Sequence, residues 1–256
     1  MRLDSLAVLA VLAAAPALAT ERELTFTYDS SVLPPGSREL ELWSTARFGR
    51  PDGYTAFDNR AEFELGVVSQ LQTAIYLNFS TSHEGPSGSN VQTWSVSNEW
   101  KWKLLDPVAD PFGFALYGEF LLGVNEQELE GKLIFDKRIG RLLLALNLIG
   151  ELGWESAFNG TVHEQVLEAT GGASYRLGAG FSLGVEMRLN CLWETGEGFV
   201  GGAFYVGPVV GFESGGFWAT VSFLPQAVGF GPSTVGGLAL EDQERFNIRL
   251  LVGFNL

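Results

Sequence analysis

The chain has 256 residues, 46% of them hydrophobic and only 18% charged, with 32 glycines, 19 phenylalanines, 7 tryptophans and a formal net charge of −14. That acidity excludes a general nucleic-acid binder, which needs a basic patch to neutralise phosphates. One cysteine, Cys191, excludes a disulfide framework, and two histidines leave little material for His-centred catalysis or metal binding.

Residues 5–19 (SLAVLAVLAAAPALA) are apolar, follow Arg2 and end in Ala17-Leu18-Ala19, a small-x-small cleavage pattern. The run is shorter than the ~20 residues a spanning helix needs. Residues 1–19 therefore read as a secretory signal peptide, with Asp4 the one departure. No later apolar run approaches ~18 residues, so helical membrane spans are excluded. Residues 20–37 are expected to be a periplasmic N-terminal segment. Within it, 22–28 (RELTFTY) alternates but is too short to span, and fits either a periplasmic strand or a plug.

From residue 38 onward the apolar residues alternate. Side chains on a strand point to opposite faces with period two, so alternation marks one apolar and one polar face. In 38–48, Leu40, Leu42, Ala46 and Phe48 oppose Glu39, Glu41 and Arg47. In 57–68, Ala61, Phe63, Leu65 and Val67 oppose Asp58, Arg60, Glu62 and Glu64. Residues 71–79 set Leu71, Ile75, Leu77 and Phe79 against Gln72, Ala74, Tyr76 and Asn78. Residues 91–104 put Trp94, Val96, Trp100 and Trp102 against Ser95, Ser97, Glu99, Lys101 and Lys103. Weaker strands are expected at about 113–123, 128–137, 141–153, 165–177, 199–212 and 216–224. Leu143 and Ile149 spoil the polar face of 142–149, and 199–212 is apolar on both faces. In 180–194, Phe181, Leu183, Val185, Met187, Leu189, Cys191 and Trp193 oppose Ser182, Glu186, Arg188, Asn190 and Glu194. The last strand, 245–256, sets Phe246, Ile248, Leu250, Val252 and Phe254 against Arg245, Asn247, Arg249 and Asn255.

The expected fold is therefore all-β, a closed antiparallel up-and-down transmembrane barrel of twelve strands over residues 38–256. Several strands exceed the ~5–6 residues usual in soluble sheets and suit a tilted transmembrane strand of ~9–11. Short connections at 69–70, 138–140, 178–180 and 213–215 alternate with long ones at 49–56, 80–90, 154–164 and 225–243, as in barrels with short periplasmic turns and longer outer loops. Two connections break the rule, 105–112 and 124–127. In lipid every backbone polar group needs a partner, and only closure removes the edges. Trp94 and Trp102 share a face and differ in height by about 20 Å, close to the ~25 Å apolar band bordered by aromatic girdles. The girdle is expected to hold Trp94, Trp102, Phe181, Trp193, Phe246 and Phe254. The lumen is expected to hold Glu62, Glu64, Glu99, Lys101, Lys103, Glu119, Glu130, Lys132, Glu151, Arg176, Glu186, Arg188, Arg245 and Arg249, because charge on the lipid face is costly.

Over its mature length the chain resembles bacterial outer-membrane β-barrel proteins. Residues 28–45 (YDSSVLPPGSRELELWST), with Leu33-Pro34-Pro35-Gly36 ahead of Glu39 and Glu41, are similar to the opening of uncharacterised barrels associated with phenol meta-cleavage pathways. The resemblance implies a transport-like role and transfers no catalytic residue. The expected function is a small channel or passive transporter for small polar or hydrophobic solutes. The alternative is a non-conducting structural or ligand-binding barrel. A lipid hydrolase or protease is disfavoured, because His83 and His163 fall in loops away from outward strand positions. Expected partners are outer-membrane lipid and lipopolysaccharide, with acidic loop residues such as Glu164, Glu197, Glu241 and Asp242 available to bridging divalent cations, and the barrel-assembly machinery through the C-terminal strand. That strand ends in Leu256 rather than an aromatic residue, with Phe254 two positions before it. No cofactor, no metal site within the chain and no nucleic acid are expected.

Overall fold

A computed structural model describes residues 21–85, 88, 90–124, 126–155, 163–232 and 234–256. The expected signal peptide and the centre of loop 154–164 lie outside the described residues.

Eleven long strands run in chain order: β1 (Arg38–Phe48), β2 (Tyr54–Val68), β3 (Leu71–Glu84), β4 (Asn90–Leu105), β5 (Gly113–Gly123), β6 (Glu126–Ile139), β7 (Leu142–Glu155), β8 (Glu164–Gly178), β9 (Phe181–Glu194), β10 (Gly198–Ser214) and β11 (Phe217–Phe230). A two-residue hairpin follows, β12 (Thr234–Val235) and β13 (Leu238–Ala239), before the last strand, β14 (Phe246–Asn255). Each long strand pairs antiparallel with its chain neighbours, and β14 pairs with both β11 and β1, closing a twelve-strand barrel. The closing seam runs from Glu39 opposite Asn255 to Phe48 opposite Phe246, so no ladder edge is left to lipid.

The zigzag sorts as lipid demands. Leu42, Leu77, Trp94, Leu146 and Leu183 point outward and are exposed, whereas Glu39, Glu41, Glu62, Glu99 and Glu186 point inward and are almost fully buried. The ambiguous strand β10 turns Ala203, Tyr205 and Val209 inward. Residues 142–149 are strand, and Leu143 and Ile149 are inward-facing apolar residues. Several strands are longer than the alternation shows: β2 begins at Tyr54 and β3 continues to Glu84, paired residue by residue through Thr81 and Ser82. Above the lipid the outward face no longer has to be apolar, so the pattern fades while the ladder persists.

Aromatic contacts fall at two heights. Near the short turns are Phe181 against Phe212 (4.9 Å between centroids), Phe217 against Phe254 (5.4 Å) and Phe114 against Phe135 (5.0 Å). Near the long loops are Phe79 against Trp94 (4.3 Å), Trp193 against Phe199 (5.1 Å) and Phe48 against Phe246 (5.4 Å).

The N-terminal segment does not lie outside as a periplasmic strand. Residues 23–28, Ser30 and Leu33 are buried inside the barrel, which is the plug alternative. The apolar inward residues explain why: they form three patches that receive Leu24, Phe26 and Tyr28.

Candidate functional site

The chain enters at the short-turn end, where the Glu23 carboxylate takes Arg138 and Arg176, each at 2.8 Å. It climbs to Phe26–Tyr28, turns, and returns to the same end. There Gly36 N donates to Gly66 O (2.8 Å) and Gly66 N donates to Ser37 O (3.0 Å). Leu24 packs on Leu143, Ala145 and Val209; Phe26 on Ala203, Tyr205 and Leu224; Tyr28 on a cluster with Trp43, Tyr76, Tyr117 and Trp218. Close approach to the wall depends on missing side chains. A Cβ on Gly66 would stand 2.1 Å from the Pro34 carbonyl oxygen, and one on Gly172 would stand 2.8 Å from Leu24 Cδ2.

A buried backbone must find hydrogen-bond partners, and among the described residues the stretch 21–33 pairs with no strand; backbone bonds to the wall begin only at Gly36. Wall side chains replace the ladder. Glu186 Oε1 accepts from Phe26 N and Thr27 N (2.8 Å each), and its Oε2 accepts from Thr25 N (3.1 Å) and Thr25 Oγ1 (2.8 Å). Asn147 accepts from Tyr28 N (2.7 Å) and donates to Tyr28 O (2.9 Å), as a neighbouring strand would. Asp136 accepts from Ser30 N (3.2 Å) and Gln72 from Leu33 N (2.9 Å).

Arginines lie on the plug's aromatic rings: the Arg249 guanidinium is 3.7 Å from the Phe26 centroid, and that of Arg22 is 4.0 Å from Tyr28. Ion pairs Arg60–Glu119 (3.3 Å), Lys132–Glu130 (2.9 Å) and Arg188–Glu168 (2.6 Å) line the surrounding wall.

The plug separates two cavities. The outer one, about 560 Å³, has Phe26, Tyr28 and Trp43 on its floor, arginines 47, 60, 188 and 249 on its wall, and Glu128, Glu151, Glu164 and Glu168 facing them. The inner one, about 280 Å³, is lined by Arg22, Glu23, Arg176, Glu213 and Trp218. The connection from β11 to β14, shorter than the expected loop 225–243 at its start because β11 runs on to Phe230, covers one side of the mouth. Its Gln243 donates to Asn190 (3.0 Å), Tyr205 donates to the Glu244 carbonyl (2.9 Å), and Arg47 pairs with Glu244 (2.9 Å).

The fourteen expected lumen residues divide by position. Glu62, Glu64, Glu99, Lys101, Glu119, Lys132 and Glu186 are buried inside. Glu130, Glu151, Arg188 and Arg249 line the outer cavity, and Arg176 the inner one. Lys103 sits at the short-turn rim, 3.4 Å from Asp106. The Asp106 carboxyl is held below the usual carboxylate range by the backbone N–H groups of Ala109 and Val108, helped by Lys103. Arg245 is not in the lumen: it is exposed at the mouth just before β14, with its guanidinium 5.4 Å from the outward Phe246 ring. β14 begins only at Phe246, so the strand's alternation does not hold Arg245 to the inward side. Trp94, Trp102, Phe181 and Phe254 are exposed on the outer wall, with Trp193 and Phe246 half-buried there against neighbouring rings. His83 is half-buried near the end of β3, not in a loop, with its ring nitrogen 3.0 Å from Asn90 Oδ1. Sequence reasoning missed the plug anchors Asn147, Gln72 and Asp136. It also missed a metal-type grouping: one carboxylate oxygen from each of Glu41, Glu62 and Glu64 lies within 4.8 Å of the others.

The architecture is that of outer-membrane β-barrels, and the chain belongs to a family of unknown function, DUF6662, matched over residues 16–256. No curated protein matches the sequence. Among solved structures it is similar to the COG4313 outer-membrane channel from Pseudomonas putida F1, with a TM-score of 0.62, 12% identity, and 89% of this chain and 98% of that one covered. It is also similar to the KdgM porin, solved with disordered oligogalacturonate (TM-score 0.56, 8% identity, 85% and 99% covered), and to the NanC porin (0.54, 11%, 85% and 100%). At these identities the likeness is one of fold. The family match carries no association with phenol meta-cleavage. Residues 33–36, part of the stretch on which that resemblance rested, form the returning limb of the plug.

Proposed function

We propose that the protein is an outer-membrane channel for small polar solutes whose lumen is closed by its own N-terminal segment. The observation that carries this reading is how the plug is held. Among the described residues, 21–33 are pinned by wall side chains and share no ladder with the barrel, so that stretch can leave without breaking one inter-strand hydrogen bond. The outer cavity is lined by both charge signs and by Ser80, Ser82, Thr93 and Ser95, which favours polar over hydrophobic solutes. Outer-membrane residence follows from the apolar outer wall between two aromatic levels. Contact with lipopolysaccharide at the acidic loops and delivery of β14 to the assembly machinery are part of the same reading.

The test is planar-bilayer recording of the full mature chain beside a variant lacking residues 21–33. The proposal expects low or flickering conductance from the full chain and sustained conductance from the truncated one. The second reading, a non-conducting barrel, draws on the occupied waist. It wins if the truncated barrel, folded by heat-modifiable migration, conducts no ion above background.

A further inference from the structure

Strands β1 and β2 pair so that Glu41 stands opposite Glu62 and Glu39 opposite Glu64. All four are buried inside the barrel. Like charges directly opposite in a ladder destabilise it, and here two such pairs are adjacent. Glu99 joins them from β4. Five carboxylates thus face three nearby cations, Arg22, Lys101 and Lys132. Arg22 is 3.8 Å from Glu41, and among the described residues its Nε and Nη1 donate to nothing.

Three of the five carboxylates receive a donor. Trp218 Nε1 donates to Glu39 (2.6 Å), Trp43 Nε1 donates to Glu41 (2.8 Å), and the Tyr76 hydroxyl donates to Glu99. Glu62 is 1% exposed, and among the described residues no N–H or hydroxyl donates to either of its oxygens; their close polar neighbour is the Glu64 carboxyl, itself an acid. One oxygen each of Glu39, Glu64 and Glu99 is buried and unpartnered in the same way. Burying a carboxylate without a partner is prohibitive unless it is neutralised or ligates a metal.

The geometry points to a divalent-cation site formed by Glu41, Glu62 and Glu64, with the free oxygen of Glu39 beside it. We infer that it takes a hard cation, calcium or a similar ion. The donors are all oxygen, which suits calcium, magnesium or manganese rather than zinc or copper. Calcium–oxygen distances are about 2.3–2.6 Å, so oxygens on opposite sides of one ion stand roughly 5 Å apart, and the three here lie within 4.8 Å of one another. The ion would cancel the repulsion across the β1–β2 ladder and fix the wall on which the plug's Arg22 rests. The inner cavity adjoins the site through Arg22, 3.8 Å from Glu41, and through Trp218, whose indole donates to Glu39.

Terbium(III) is the probe, because the Trp43 indole touches one proposed ligand and sensitises a bound lanthanide. The full mature chain in detergent, stripped with chelator, is titrated with terbium chloride under tryptophan excitation, then back-titrated with calcium chloride. The inference expects one saturable, calcium-displaceable site per chain and a calcium-dependent rise in melting temperature. Glu62→Gln should weaken terbium binding at least about tenfold, since loss of a supporting residue alone costs 10–100-fold in metal affinity. The control Asp52→Asn, in the exposed turn between β1 and β2, should leave it unchanged. If Glu62→Gln does not fold, Trp43→Phe keeps the carboxylates and should dim the emission while calcium still raises the melting temperature. Absence of sensitised emission from folded wild type, or emission unchanged in Glu62→Gln, overturns the site and means the carboxylates hold protons instead. The conductance test is independent of either result.

Discussion

Glu186→Ala should unlatch the plug while leaving the barrel standing. The Glu186 carboxylate accepts four hydrogen bonds from residues 25–27, three of them from backbone N–H groups with no ladder partner. A hydrogen bond to a charged group is worth about 1.5–3 kcal/mol, so the sum is roughly 6–12 kcal/mol. That is an upper bound, because such terms are not additive and water enters the vacated space. If only about 4 kcal/mol survives, the unlatched population still rises about a thousandfold. The barrel ladder holds no bond to this carboxylate, so strand content and heat-modifiable migration should be unchanged. Single-channel recording should show longer and more frequent openings than wild type, and protease added from the short-turn side should cut within residues 21–33. Glu186→Gln keeps one acceptor oxygen and should fall between. Wild-type gating and wild-type protease protection in Glu186→Ala would refute the latch.

Gly66→Ala places a Cβ 2.1 Å from the Pro34 carbonyl oxygen; overpacking of this kind typically costs about 1–3 kcal/mol, and limited proteolysis should find the 33–36 limb newly accessible. Leu146→Arg puts a charge on the outward face of β7 near mid-membrane, so the folded barrel should lose about 2–4 kcal/mol in denaturant titration in lipid vesicles. Glu21, outside the strands at the inner mouth, has its carboxyl pushed up to about 7 by burial and by sharing a proton with Glu213, with Arg176 opposing. Because the folded pKa exceeds the unfolded one, docking of the segment is strongest below about pH 4.5 and weakens as pH rises to about 7. Protease protection of residues 21–33 should therefore fall from pH 5 to pH 8 in wild type and stay flat in Glu21→Gln.

The barrel was legible because lipid enforces period two on every strand, and β4, β9 and β14 carry it with few exceptions. The strand ends of β2 and β3 were not, since above the membrane nothing compels the outward face to stay apolar. The fate of residues 22–33 was half legible. Leu24, Phe26 and Tyr28 alternate with Glu23, Thr25 and Thr27 like a strand, but the partners that hold this stretch are wall side chains 39 to 198 positions away in sequence. The blemishes held the missing signal. Leu143, Ile149 and Tyr76 break a polar face, and most such inward apolar residues meet the plug or bound the cavity above it. The acidic grouping was hidden for a different reason: register, which sequence does not print, sets Glu41 against Glu62.

The most direct test of the closed lumen is a cross-link between the plug and the wall. Thr25 Oγ1 and Ser222 Oγ are 2.6 Å apart, so Thr25→Cys with Ser222→Cys, in a Cys191→Ser background, brings two thiols together. The account predicts spontaneous disulfide formation in the outer membrane of intact cells, a channel that stays shut while oxidised, and conductance that appears on reduction. Two free thiols under oxidising conditions, or full conductance with the disulfide intact, would contradict it.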